Sequence, residues 1–69
     1  IKFSIPKADY VRLKVFDISG REVAVLVNKN LPKGEYTYDF NGANYPSGVY
    51  FYTLKTEKFT STKKMILVK

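Results

Sequence analysis

The stretch YVRLKVFDISGREV, residues 10–23, decides the fold. Val11, Leu13 and Val15 fall on one face of an extended chain and Arg12 and Lys14 on the other, which Tyr10 and Phe16 share. A period of two is the pattern of a strand with one buried side. The run then meets Asp17-Ile18-Ser19-Gly20-Arg21. Aspartate opens turns through its side-chain acceptor, and glycine supplies positive φ without steric cost. Residues 17–21 therefore read as a short hairpin loop, and residues 21–28 as the returning strand. In that strand Val23, Val25 and Val27 compete with Ala24 and Leu26 for the inner face, and alternation leaves the choice open. A helix over 22–28 is the competing reading, but three valines between two turns favour a strand.

Residues 2–5 form a short strand that stops at Pro6, which has no N–H for a ladder. Residues 28–34, NKNLPKG, are a loop rich in turn formers. Residues 35–40 alternate again, with Tyr36, Tyr38 and Phe40 opposed to Glu35, Thr37 and Asp39. A longer loop over 41–48 leads to a strand over 49–56. There Tyr50, Tyr52 and Leu54 oppose Val49, Phe51 and Thr53; both sets are bulky, which predicts a central strand covered on both sides. Glu57-Lys58 serves as a tight connection, and residues 59–68 close the chain. Six strands, short loops and no helix suggest an antiparallel sandwich or a barrel. A small sandwich needs one buried face per sheet and suits a thin core.

The core must be thin because the chain has 69 residues and about 7.9 kDa. Such a domain buries roughly 60% of the surface its unfolded chain exposes. Cores of this size supply about 3–5 kcal/mol without staples. With no cysteine, disulfides, thiolate-bound zinc and thiol nucleophiles are excluded. With no histidine, the commonest general base and metal ligand are missing too. No apolar run approaches the roughly 18–20 residues of a membrane-spanning helix. The abundance of Val, Ile, Leu, Phe and Tyr argues against disorder.

The carboxylates Asp9, Asp17, Glu22, Glu35, Asp39 and Glu57 fall mostly at turns and on solvent faces. Ser4, Ser19, Ser47 and Ser61 have no histidine to activate them. The glycines are scattered singly, so no loop cradles a phosphate. Asp39, Asn41 and Asn44 lack the spacing of a calcium loop. No catalytic residue, metal site or cofactor is expected. Tyr36, Tyr38, Tyr45, Tyr50 and Tyr52 fit core positions, with hydroxyls at the wet margin, better than a stacking platform for sugars or bases.

Net charge is +6. Residues 55–69 contribute +4 of it, from Lys55, Lys58, Lys63, Lys64 and Lys69 against Glu57. Lysine on an edge strand suppresses edge-to-edge aggregation. The sharper reading is an electropositive terminal hairpin that meets an acidic partner. Two of the twelve basic residues are arginine, which leads base and bidentate phosphate contacts, so nucleic acid is not an expected partner.

Several of these residues together resemble the C-terminal sorting domain of proteins exported by the bacterial type IX secretion system (type A, Por secretion system family). Val11, Leu13 and Val15 lead into Phe16-Asp17 and Gly20-Arg21-Glu22-Val23, similar to that family's strand–D-x-x-G–strand hairpin. Leu26 and Gly34 fall at later stations of the pattern. Residues 45–52, Tyr-Pro-Ser-Gly-Val-Tyr-Phe-Tyr, resemble its glycine–valine–tyrosine segment, with Tyr45 where leucine is common. Residues 63–69, KKMILVK, resemble its lysine-led terminal strand.

The resemblance implies an all-β fold, a small antiparallel Ig-like β-sandwich of six to seven strands. It implies a secretion address without catalytic role, spanning residues 1–69 and expected to be a fragment of a larger secreted protein. The implied partners are an N-terminal cargo domain, the outer-membrane secretion machinery and its surface peptidase, with no direct membrane insertion. The implied route runs through the periplasm and outer membrane to the medium or cell surface, with cleavage of the domain and attachment of the cargo to a lipopolysaccharide anchor. Gly48, Tyr50, Lys63, Lys64 and Lys69 fall in the segments tied to recognition, and Asp17, Gly20 and Gly34 are turn positions. The alternative is an Ig-like accessory or carbohydrate-contacting module of a secreted hydrolase, which shares the hairpin and the glycine–valine–tyrosine signature.

Overall fold

The computed structural model describes residues 1–40, 42–43 and 45–68. Six strands follow one another: β1 (Lys2–Ile5), β2 (Asp9–Asp17), β3 (Glu22–Leu31), β4 (Gly34–Thr37), β5 (Gly48–Lys55) and β6 (Thr60–Leu67). β1 pairs with β4, while the other four form a sheet in the order β3-β2-β5-β6. Every pairing is antiparallel. The chain is all-β, and its two sheets make the expected small sandwich.

β2 follows its alternation. Val11, Leu13 and Val15 are completely buried, and Leu13 sits opposite Val27 on β3 and Leu54 on β5. The two-stranded sheet closes over Val11 and Leu13 with Ile5, Phe3, Tyr36 and Tyr38. The Phe3 ring stacks between Tyr36 and Tyr38, at 5.6 and 5.8 Å. A sheet of two short strands cannot cover four longer ones. The segment after β4 covers the remaining end, bringing Phe40 and Tyr45 to within 6.0 and 6.5 Å of the buried Tyr50 ring.

β3 shows why alternation alone left its faces open. Leu13 pairs with Val27 but Lys14 with Val25, so Leu26 has no counterpart on β2. Val15 pairs with Ala24 but Phe16 with Glu22, so Val23 is a second extra residue. Each bulge resets the parity of the strand. Val27 and Ala24 therefore share the inner face, and Val25 points outward beside Lys14.

Two strand ends and the covering of one strand differ from the expected ones. β3 continues through Leu31, so residues 28–31 are strand rather than loop. Leu31 is buried, and the Tyr10 hydroxyl donates to Asn28 Oδ1 at 2.7 Å; both hold the polar run to β2. β4 ends at Thr37 instead of residue 40, with one further hydrogen-bonded pair between Tyr38 and Ile1. β5 is central in its sheet, but it is covered on one side instead of two. Val49, Phe51 and Thr53 are half-buried on the outer face, where Phe16 and Lys64 flank Phe51 sideways.

The tight connection at Glu57-Lys58 forms as expected. Thr56 Oγ1 accepts the N–H groups of Lys58 and Phe59 at 3.1 Å each, and Thr56 N–H donates to the Phe59 carbonyl. Leu13→Ala is expected to cost about 2–5 kcal/mol. That rivals the whole stability of a core this small, so urea titration followed by circular dichroism should find the variant largely unfolded. Val25→Ala on the outer face should shift stability by less than about 1 kcal/mol.

Candidate functional site

Antiparallel pairing of β5 with β6 brings the expected recognition residues together. Gly48 lies opposite Leu67, Tyr50 opposite Met65, Phe51 opposite Lys64 and Tyr52 opposite Lys63. Gly48, Tyr50, Lys63 and Lys64 thus share one end of one hairpin. Asp17 joins them, since it pairs with Tyr50 from the other side. Gly34 does not: it opens β4 opposite Ile5, on the other sheet. Lys69 lies outside the described residues.

These residues differ in what they offer to a partner. Lys63 and Lys64 are both exposed, although they point to opposite faces of β6. Lys63 escapes burial on the inner face because the core under the two-stranded layer reaches β5 at Leu54 and Tyr52 but takes in no residue of β6. Ile66 and Val68 extend the exposed surface beyond Lys64. Among the described residues the ion pairs are Lys14 with Glu22 at 3.1 Å and Arg21 with Asp17 at 3.4 Å, so Lys55, Lys58, Lys63 and Lys64 lack a fixed counter-charge.

Tyr50 is buried, its ring against Phe40 and Tyr45 and its hydroxyl donating to the Pro46 carbonyl at 2.7 Å. It shapes the loop before β5. Tyr45 acts alongside it: its hydroxyl donates to the Val23 carbonyl at 2.8 Å and ties that loop to β3. Sequence reasoning took these hydroxyls as lying at a wet margin, and nothing in the local pattern names their carbonyl partners. Gly48 enters β5 with φ +153°, and a Cβ built there meets no neighbour within 4 Å. Its demand is therefore conformational, not spatial.

The turn residues hold the far side of this end. Asp17 Oδ1 accepts from Ser19 Oγ at 2.6 Å and from the N–H groups of Ser19 and Arg21 at 3.0 Å each. The Ser19 hydroxyl, followed by the Arg21 amide, holds the Asp17 carboxyl below its ordinary pKa. Gly20 occupies φ +88°, where its N–H reaches the Asp17 carbonyl at 3.0 Å. Gly34 has φ +155° beside the Tyr36 ring.

Among the described residues no group of three or more Asp or Glu converges to hold a metal ion. Charge, exposed apolar side chains and an edge strand are the features this end presents. A family model, the secretion system C-terminal sorting domain, matches residues 1–69. No curated protein and no solved structure matches the chain.

Two measurements probe the turn geometry. A carboxyl with lowered folded pKa stabilises above its unfolded pKa, and the contribution is lost as pH falls through the folded value. The urea-midpoint gap between the parent and Asp17→Ala should therefore be full near neutrality and shrink below the ordinary carboxylate range. A gap independent of pH would show that the carboxylate charge does not matter. Gly48→Ala should lower stability by about 1–3 kcal/mol through backbone strain, read as a drop in melting temperature without loss of strand signal.

Proposed function

The chain belongs to the secretion system C-terminal sorting domain family, and on that premise we propose how its residues act as the signal. A domain of this family is the C-terminal sorting signal for type IX secretion. It implies an attached N-terminal cargo, the type IX machinery, and a secreted or cell-surface destination for the cargo. The family is not known as catalytic. Family membership favours this reading over that of an accessory or carbohydrate-contacting module.

In our reading residues 1–69 are one domain of a longer secreted protein. The parent crosses the inner membrane on an ordinary signal peptide and folds this domain in the periplasm. The outer-membrane machinery then reads the β5–β6 hairpin. Lys63 and Lys64 make the direct contacts, and Lys69 adds a third charge beyond them. Gly48 and Tyr50 fix the loop that shapes this end, and Asp17, Gly20 and Gly34 keep the turns. A surface peptidase then removes the domain, and the cargo is joined to a lipopolysaccharide anchor. The observation that carries this reading is the pair Lys63 and Lys64, exposed on an edge strand and without ion-pair partners among the described residues.

The test fuses residues 1–69 behind a periplasmic fluorescent protein in a bacterium with a working type IX system. Surface delivery of the fusion is expected. A Lys63→Glu/Lys64→Glu double variant, altered at exposed positions, should fold yet accumulate in the periplasm with delivery reduced at least tenfold. Equal delivery of parent and double variant would remove the lysines from the signal. Periplasmic retention of the parent would overturn the sorting role itself.

A further inference from the structure

The four-stranded sheet has two edges, and they are unlike each other. On β3 the bulges at Leu26 and Val23 break the register, and the Tyr45 hydroxyl already occupies the Val23 carbonyl. Bulges and covered carbonyls are standard protection against strand addition. On β6 the pairing runs unbroken from Lys55–Thr60 to Gly48–Leu67, with no shift in register. The strands of the other sheet are four residues each, too short to template much.

The direction of the free backbone groups on β6 follows from the turn. Thr56 N–H bonds the Phe59 carbonyl, so Thr56 and Phe59 are a hydrogen-bonded pair. Such pairs alternate with non-bonded ones along an antiparallel ladder. Thr60, Thr62, Lys64 and Ile66 therefore turn their N–H and C=O groups away from β5, along an open edge. Beside that edge stand Lys63 on one face and Lys64 and Ile66 on the other, all exposed.

We infer that the β6 edge accepts one strand from a component of the secretion machinery, carrying acidic side chains opposite Lys63 and Lys64 and an apolar one opposite Ile66. This rests on the sorting function and names the mode of contact. Main-chain hydrogen bonds to an exposed edge supply affinity in such additions, and alternate side chains supply specificity. Charge selects the occupant. A second copy of this chain would bring its own lysine-rich strand against these lysines, and like charges directly opposite one another are destabilising. A strand with carboxylates at those positions is favoured, with binding that weakens as salt rises.

The test separates backbone from side chain. Ile66→Pro deletes an N–H that points away from the fold, while Ile66→Val keeps it. Both are made in the full chain fused to the fluorescent cargo, and melting temperatures are measured on the purified chains. A folded proline variant should be delivered at least tenfold less than the valine variant, which keeps both the N–H and an apolar side chain. Delivery of a folded proline variant within twofold of the valine variant would overturn the edge mode while leaving the sorting role intact. Loss of delivery in the parent would instead strike the sorting role.

A second measurement holds even if the proline variant does not fold. The purified chain is mixed with a nine-residue valine–threonine peptide that carries two adjacent glutamates, to lie opposite Lys63 and Lys64, and a valine two residues before them, to lie opposite Ile66, or with its lysine counterpart. Amide exchange is then followed by NMR. The glutamate peptide should slow exchange at Thr62, Lys64 and Ile66 several-fold at low salt, and the lysine peptide should not. Equal effects of both peptides, no effect of either, or protection from self-association in the chain alone would each overturn the acidic-strand assignment.

Discussion

Val11, Leu13 and Val15 have no exposed surface, and all three come from the strand that lies between β3 and β5. Everything else is placed by contact with that row. β3 and β5 pair on either side of it, Ile5 and Phe3 close over its first two members, and β6 attaches to β5. Because one layer of inward side chains serves both sheets, the domain has no reserve. A core of this size leaves a margin of about 3–5 kcal/mol, so polar devices at the turns carry real weight. Asp17 organises one hairpin through four acceptor contacts, and Thr56 organises another through two.

The parts legible in the sequence are those where one residue type answers to one physical demand. Alternation in β2 gave the inner face, and Asp17 with Gly20 gave the turn. Tyr36, Tyr38 and Phe40 do lie on one face, although the hydrogen-bonded pairing goes no further than Tyr38. Illegible parts are those where a tertiary partner overrides the pattern. The bulges at Val23 and Leu26 answer to the twist and register of β2, which no local signal in β3 reports. Residues 28–30 read as loop because asparagine favours turns, yet on an edge strand their polar side chains simply face water. The bulk on the outer face of β5 suggested a second covering layer, whereas neighbours within the sheet give it partial shelter.

Of the candidate site, the lysines and the packing of the tyrosine rings were legible, and the partners of the tyrosine hydroxyls were not. Lys63 and Lys64 stood out because charge gathers at the end of the chain. The part played by Tyr50 and Tyr45 depends on the Pro46 and Val23 carbonyls, and only folding brings those within reach. Burial of Tyr50 separates two kinds of contribution that a motif alone runs together. A substitution at Lys64 alters the exposed surface of β6. One at Tyr50 alters the scaffold that presents it.

The hydroxyl of Tyr45 resting on the Val23 carbonyl has a consequence for how the sheet can grow. A sheet that can grow at both sides is a monomer for a fibre, and each addition creates the next acceptor. Here two bulges and the covered Val23 carbonyl interrupt one side, so the two sides of the sheet are unequal templates and growth is biased toward the other.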